Sequence, residues 1–331
     1  METRTVSEKV LVLCATGKLG LGVSCGLKAA GFDVAGSSRG AKGVALLAAK
    51  GIRGLQANYV VRADVDRAIT ESGAKKLVFL TDFFLAAGHS QQKEVEQGCM
   101  MVDAAKAAGI EHVVFLSVGD ADSTQWSKKV KHIPGKVLIE NYLKASGVPH
   151  SILRPVAFFE NFDVRPPPPC SPPPHPHALT HAHTLHSQDS ANWNPLTKGS
   201  VKFLSTAPTF FVSTFDVGLA AAAQLKSPAE WLGRTLECAS YKGTLAEVGA
   251  ALQRVSGVPV KASLAMPICL RSIFLPDLHG MCQYWEAGYP GTKADVQAFS
   301  AVVASQGFTA MDAEAWFRHH AVYANGKRIV A

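Results

Sequence analysis

The sequence predicts an α/β fold built on a doubly wound parallel sheet, and three observations in its first half carry that prediction. Short apolar runs of strand length alternate with helical patterns from the N-terminus onward. The helical patterns stop at glycines, at Gly31, Gly51, Gly109 and Gly147. The first strand runs through a glycine turn directly into a helix. Strands alternating with helices imply right-handed crossovers and hence parallel neighbours, the Rossmann-type arrangement.

In order, Val10–Leu13 is short and β-rich, and Leu19–Ala30 has helical spacing. Asp33–Gly36 is a second short strand ending near Ser37, Ser38 and Arg39, and Val44–Lys50 is helical. Leu77–Leu80 is a buried-type strand, Glu94–Ala108 a long helix, and His112–Leu116 a strand capped by Ser117. Lys136–Ala145 is a helix, and Ser151–Leu153 is a strand that runs into Arg154-Pro155. The second half is less regular. Val201–Ser205 and Phe210–Ser213 read as strands, and Asp216–Leu225, Leu245–Ser256 and Met311–Val322 as helices.

Composition changes at Arg165. Arg165–His186 holds Pro166–Pro169, Pro172–Pro174 and five histidines (His175, His177, His181, His183, His186). Proline without apolar periodicity supports neither helix nor central strand, so the stretch reads as a disordered insertion. Its histidines lack the spacing of a defined metal site, and no metal is expected.

The chain has 331 residues, 47% hydrophobic and 18% charged, ample for a sizeable core. Its net charge of +7 suits an anionic small ligand, and no nucleic-acid motif accompanies it. Seven widely spaced cysteines without a CxxC argue against a disulfide framework and for a reducing compartment. The polar start, Met1–Val10, and the lack of a run of about 20 apolar residues give no signal or membrane segment. The expectation is a cytoplasmic protein, with the nucleus as a second location.

Val10–Gly20 reads V-L-V-L-C-A-T-G-K-L-G. A phosphate approaching Cys14, Ala15, Thr16, Gly17, Lys18, Leu19 and Gly20 meets backbone N–H groups and the positive end of a helix dipole. Gly17 lets the backbone come close, and Gly20 lets the helix pack on the strand. Cys14 replaces the first glycine of the usual pattern, and its side chain is expected to demand a φ below zero. Arg39 lies roughly 20 residues beyond the loop, where an adenine ribose is read. An acid there would accept the ribose hydroxyls of NAD. Ser38-Arg39 instead offers a hydroxyl and a guanidinium suited to a 2′-phosphate, with Lys42 nearby.

The chain resembles the NmrA-like family of atypical short-chain dehydrogenases/reductases. The matching stretches are Cys14–Gly20, Val78–Phe84, Val102–Gly109, His132–Lys136, Ser146–Pro149, Ile152–Phe162, Asn192–Leu196 and, more weakly, as far as Phe317. The resemblance implies an α/β fold with a smaller α/β C-terminal part and NADP(H) in the cleft between. It divides the chain into a cofactor domain (1–164), the insertion (165–190) and a C-terminal substrate or partner part (191–331) whose elements return to the core. It puts Thr16–Leu19 on the pyrophosphate, Arg39 on the 2′-phosphate, and Asn58 where relatives carry an Asp near the adenine. Thr81, Asp82 and Phe83 would line the ribose and nicotinamide, and Phe158, Phe159, Glu160 and Asn161 would close over it.

Ordinary short-chain dehydrogenases use Ser, Tyr and Lys, the last two spaced Y-x-x-x-K. Here Lys136 stands in the lysine position, His132 in the tyrosine position, and Ser117 where the serine sits. The missing phenol removes the usual proton donor for carbonyl reduction. Two functions remain: an NADP(H)-binding redox sensor that acts through a regulatory protein partner, or an NADPH-dependent reductase of a small carbonyl or quinone-like substrate in which Lys136 or His132 handles the proton.

Overall fold

A computed structural model describes residues 7–119, 130, 132–162, 200–203, 205–257, 259–264, 276–287, 294–319, 323–324 and 327–328. The Pro/His-rich segment and Asn192–Leu196 lie outside the described residues.

The chain begins β1 (Lys9–Val12), α1 (Lys18–Ala29), β2 (Asp33–Ser38), α2 (Ala41–Ala49), β3 (Arg53–Gln56) and α3 (Arg62–Ser72). It continues through β4 (Lys76–Phe79), α4 (Gln91–Ala107), β5 (His112–Leu116), α5 (His132–Ala145) and β6 (His150–Pro155). With β10 (Thr235–Cys238) these strands form a seven-stranded sheet in the order β10-β6-β5-β4-β1-β2-β3. Every pairing in it is parallel. The order reverses at β1, which lies between β2 and β4. Ligands of open α/β sheets bind at such a switch point, beyond the carboxyl ends of the strands.

Both faces are covered, so the inner strands are apolar throughout. Leu11, Leu77, Phe79, Val113 and Phe115 are fully buried, and the Phe79 and Phe115 rings stack with centroids 4.7 Å apart. Burying a side chain of that size stabilises the fold by about 1.5–3 kcal/mol. On one face α1 meets α6 (Thr214–Lys226) at close range. A Cβ on Gly26 would collide with Phe215 and Gly218, so small residues set this helix separation.

The C-terminal part returns β10 and α6 to the central sheet and builds smaller sheets with the rest. β7 (Ala157–Phe158), β9 (Thr209–Val212) and β11 (Tyr241–Gly243) form one small sheet, and β8 (Ser200–Phe203) pairs with β12 (Lys261–Leu264). A second core packs Phe159, Phe162, Phe211, Leu252, Trp316 and Phe317. The helices here are α8 (Leu245–Ser256), α9 (Pro276–Glu286) and α11 (Ala313–His319), whereas α10 (Val296–Ala304) packs on α6 and β10 in the main core and the short α7 (Pro228–Trp231) follows α6.

β3, α3 and β10 extend the sequence reading. β3 and β10 are the two edges of the sheet. Leu55 alone is buried in β3, and Cys238 alone in β10, so neither carries a continuous apolar run. α5 starts at His132, four residues earlier than its apolar spacing predicts, because Pro134 fits a helix's first turn.

Candidate dinucleotide site

The glycine loop leaves β1 at the switch point. The Leu13 N–H donates to the Val78 carbonyl (2.9 Å) and the Ala15 N–H to the Ser37 carbonyl (3.1 Å), locking the loop onto both flanking strands. Cys14 adopts φ +59°, which corrects the expectation of a negative φ. The loop needs the left-handed backbone that glycine normally supplies, at a cost of about 1–2 kcal/mol for an L side chain. The thiol donates to the Leu80 carbonyl (3.1 Å), and the Cys14 N–H donates to Ser37 Oγ (3.2 Å). Burial, then the Asp82 charge, push the thiol's pKa up, so it remains protonated.

Gly17 is the N-cap of α1, is exposed, and receives no side-chain cap. A Cβ built on it meets nothing within 4 Å. The open side of the loop therefore presents the first-turn N–H groups of Lys18, Leu19 and Gly20 and the positive end of the dipole. Gly20 does what its position predicts: a Cβ there would strike the Cys14 carbonyl. Thr16 is half-buried beside the loop.

At the adenine end, Arg39 follows β2 and is exposed, and it has no ion-pair partner among the described residues. Its guanidinium lies over the Tyr59 ring, 5.4 Å from the centroid. Asn58, half-buried, donates its N–H to Asp64 Oδ2 (2.8 Å) and accepts from the Val60 N–H (3.4 Å). The Asn58 N–H holds the Asp64 carboxyl below its usual range, and Arg67 adds to this.

The opposite end is arranged differently. Lys136 Nζ donates to Glu94 Oε1 (2.7 Å), Thr81 Oγ1 (2.9 Å) and, more weakly, the Thr81 carbonyl (3.4 Å). Thr81 Oγ1 in turn donates to Glu94 Oε1 (2.8 Å). Glu94 is fully buried, and the side chain of Lys136 is 12% exposed. An ammonium has three donors, so its capacity is met inside the chain. His132 is buried at the start of α5, one turn from Lys136, with its ring 5.7 Å from Phe84 and 6.1 Å from Phe83. Asp82 Oδ1 accepts the Leu85 N–H (2.9 Å). Ser117 Oγ and Glu94 Oε2 are buried without a hydrogen-bond partner among the described residues.

Phe158–Asn161 enter a single 3₁₀ turn, Phe159–Phe162, whose three-residue period turns Phe159 and Phe162 inward. Phe159 is fully buried and stacks on Phe211 (5.5 Å) and Trp316 (5.9 Å), so its ring offers no surface to a ligand. Phe158 and Asn161 are half-buried. The Glu160 carboxylate turns to the N-terminus of α6. Its Oε1 accepts from the Thr214 N–H (3.0 Å), Thr214 Oγ1 (2.8 Å), Ser213 Oγ (3.3 Å) and Trp316 Nε1 (3.4 Å). Lys18 Nζ donates to the Glu160 carbonyl (3.0 Å), tying the glycine loop to this turn. Beside Glu160, burial pushes the Asp216 carboxyl up to about 7. The Met311 N–H opposes that rise, and the Glu160 charge adds to it.

The site thus brings Cys14–Gly20, Arg39, Asn58, Thr81–Phe83, Ser117, His132 and Lys136 to one edge of the sheet. Glu94, Tyr59 and Asp216 belong to it and escape sequence reasoning. Glu94 reads as an ordinary acid in the first turn of a helix, and nothing local links it to a lysine 42 residues away.

Known proteins agree with this architecture. The NmrA-like family profile matches residues 6–287, and the chain belongs to that family. Among solved structures, NmrA, a negative transcriptional regulator crystallised with NADP, is 19% identical, with 95% of each chain covered and a TM-score of 0.66. An NADPH-dependent quinone oxidoreductase from Escherichia coli, complexed with NADPH, is 23% identical over 94% of this chain and 99% of its own, with a TM-score of 0.63. A triphenylmethane reductase from Citrobacter sp., complexed with NADP(H), is 15% identical over 94% and 99%, with a TM-score of 0.66. At such identities the likeness is one of fold, and the three proteins differ in role. No helix among the described residues is long and apolar enough to cross a membrane.

Proposed function

We propose that this protein binds NADP(H) and works as a redox-responsive regulator, its cofactor state read by a protein partner, in the cytoplasm and nucleus. The groups present fit the dinucleotide. The uncapped, exposed N-terminus of α1 suits the pyrophosphate, and an exposed guanidinium without an acid beside it suits the 2′-phosphate. Bound there, the cofactor would bring a hydride-exchanging nicotinamide to the side of Thr81 and Lys136.

One observation carries the choice of regulator over catalyst: the Lys136 ammonium is held by Glu94 and Thr81, and no phenol stands one turn before it. The three N–H donors of the ammonium are spent on Glu94 and Thr81 inside the chain, which leaves none directed at a bound substrate. Lys136, Glu94 and Thr81 here form a wall on the ribose side of the site. His132, packed against Phe83 and Phe84, shapes the wall. The reductase reading draws on Ser117 Oγ, which is buried without a hydrogen-bond partner among the described residues.

The test has two parts: calorimetric titration with NADP(H), and a screen for NADPH consumption against carbonyl and quinone substrates. Binding without turnover across the panel is expected. Turnover that falls more than binding in Lys136→Met would establish the reductase instead.

A further inference from the structure

Tyr59 is unused by the reading above, yet it connects two features of the site. It is 5% exposed, in the loop after β3, and its ring lies beneath the Arg39 guanidinium at 5.4 Å. Its hydroxyl is a polar neighbour of the Cys14 sulfur. Cys14 is the left-handed residue at the first position of the glycine loop, and its thiol is fixed on the Leu80 carbonyl at 3.1 Å. A buried aromatic ring is thus the platform on which an otherwise exposed arginine rests. Arg39 has no ion-pair partner among the described residues, and a long side chain without one samples many rotamers. Ordering it costs conformational entropy whenever it must meet a ligand. The ring reduces that cost by holding the planar fork in advance, through the attraction of a cation to a π face.

We infer that Tyr59 is a positioning residue for cofactor choice: it presents Arg39 to the 2′-phosphate and so sets the preference for NADP(H) over NAD(H). This rests on the assignment of Arg39 to the 2′-phosphate.

The readout is the ratio of NADP to NAD affinity, measured by calorimetry at one salt concentration. A general loss of structure lowers both affinities and leaves this ratio in place. Tyr59→Leu is expected to lower the ratio about three- to fivefold, the range of an exposed cation–π contact, with NAD affinity within about twofold of wild type. Tyr59→Phe keeps the ring and is expected to keep the ratio. In an Arg39→Ala background, Tyr59→Leu is expected to have no further effect. Should Tyr59→Leu fail to fold, Arg39→Lys tests the contact from the other side. It keeps the charge and loses the planar stack, and an unchanged ratio would overturn the inference. A wild-type ratio in Tyr59→Leu, or an equal loss in Tyr59→Phe, would overturn it too. An unchanged ratio in Arg39→Ala would instead remove the phosphate assignment beneath it.

Discussion

The two ends of the cofactor cleft, built by one sheet edge, treat their polar groups in opposite ways. At the adenine end the groups are open: Gly17 is exposed, α1 is uncapped, and Arg39 rests on a ring without an acid to neutralise it. At the nicotinamide end the charged groups bond within the chain, although Glu94 Oε2, Glu160 Oε2 and Ser117 Oγ stay unpartnered among the described residues. Lys136 is taken by Glu94 and Thr81, and Glu160 by Ser213, Thr214 and Trp316. Open donors cost little in water and are ready for a ligand. Paired, buried charges are fixed and surrender little to one. On the proposed reading, the contrast lets a fold shared with reductases keep dinucleotide binding while Lys136 and Glu94 serve the architecture.

The sharpest way to break this contrast is to remove Glu94. Glu94→Ala leaves the Lys136 ammonium buried and unpaired, and it is expected to lower unfolding free energy by about 3–5 kcal/mol. Adding Lys136→Met should recover more than half of that loss, since both charges then vanish together. Chemical denaturation of the two variants provides the check. A loss below about 1 kcal/mol in Glu94→Ala would mean the pair is not what holds this end.

A pH series sharpens the comparison next. Asp216, raised to about 7 by burial, binds a proton in the folded state that the unfolded chain has released above its ordinary range near 4. Stability is therefore lost as pH rises from about 4 to 7, by up to roughly 1.4 kcal/mol per unit. Asp216→Asn removes that slope and is expected to exceed wild-type stability above pH 7, the gap closing at low pH. At the start of the inner strand β5, His112 works in reverse. Burial, with His150 and Lys76 adding, pulls it down to about 4. Its unfolded form takes up protons below about 6.5, so stability falls as pH drops through that window. Denaturation midpoints of wild type and Asp216→Asn between pH 4 and 8 separate the two slopes.

Gly17→Val probes the open end alone. A Cβ there meets no protein atom within 4 Å, so the loss of stability is expected to be only about 1 kcal/mol, from the poorer N-cap. Affinity for NADP(H) should fall about tenfold or more, because the branched side chain stands where the phosphates pass. A variant that binds normally would show the phosphate path to lie elsewhere.

How far the sequence carries differs between these regions for a physical reason. His112–Leu116 and Leu245–Ser256 have the bounds their patterns predict. The first is an uninterrupted apolar strand buried on both faces. The second is closed by a capping box from Thr244 to Glu247 and by left-handed Gly257. The open end of the site is legible too, since Gly17, Gly20 and Arg39 are set by their distance from strand ends. The paired end is not. Glu94 with Lys136, and Asp216 with Met311, are contacts made by tertiary packing across 42 and 95 residues, and no local pattern encodes them. Cys14 misled because side-chain propensity points to negative φ, whereas the bonds from Leu13 and Ala15 to the neighbouring strands impose the opposite.

The central claim, that cofactor binding comes from the open end and owes little to the paired one, reduces to one titration. NADP is measured by calorimetry at a fixed salt concentration against wild type, Arg39→Ala and the double variant Glu94→Gln/Lys136→Met, which removes both paired charges together. The account expects Arg39→Ala to lose roughly ten- to a hundredfold in affinity, from charge-assisted bonds of about 1.5–3 kcal/mol, and the double variant to lose less than about threefold. The reverse order, with the double variant weakened more than Arg39→Ala, would contradict it.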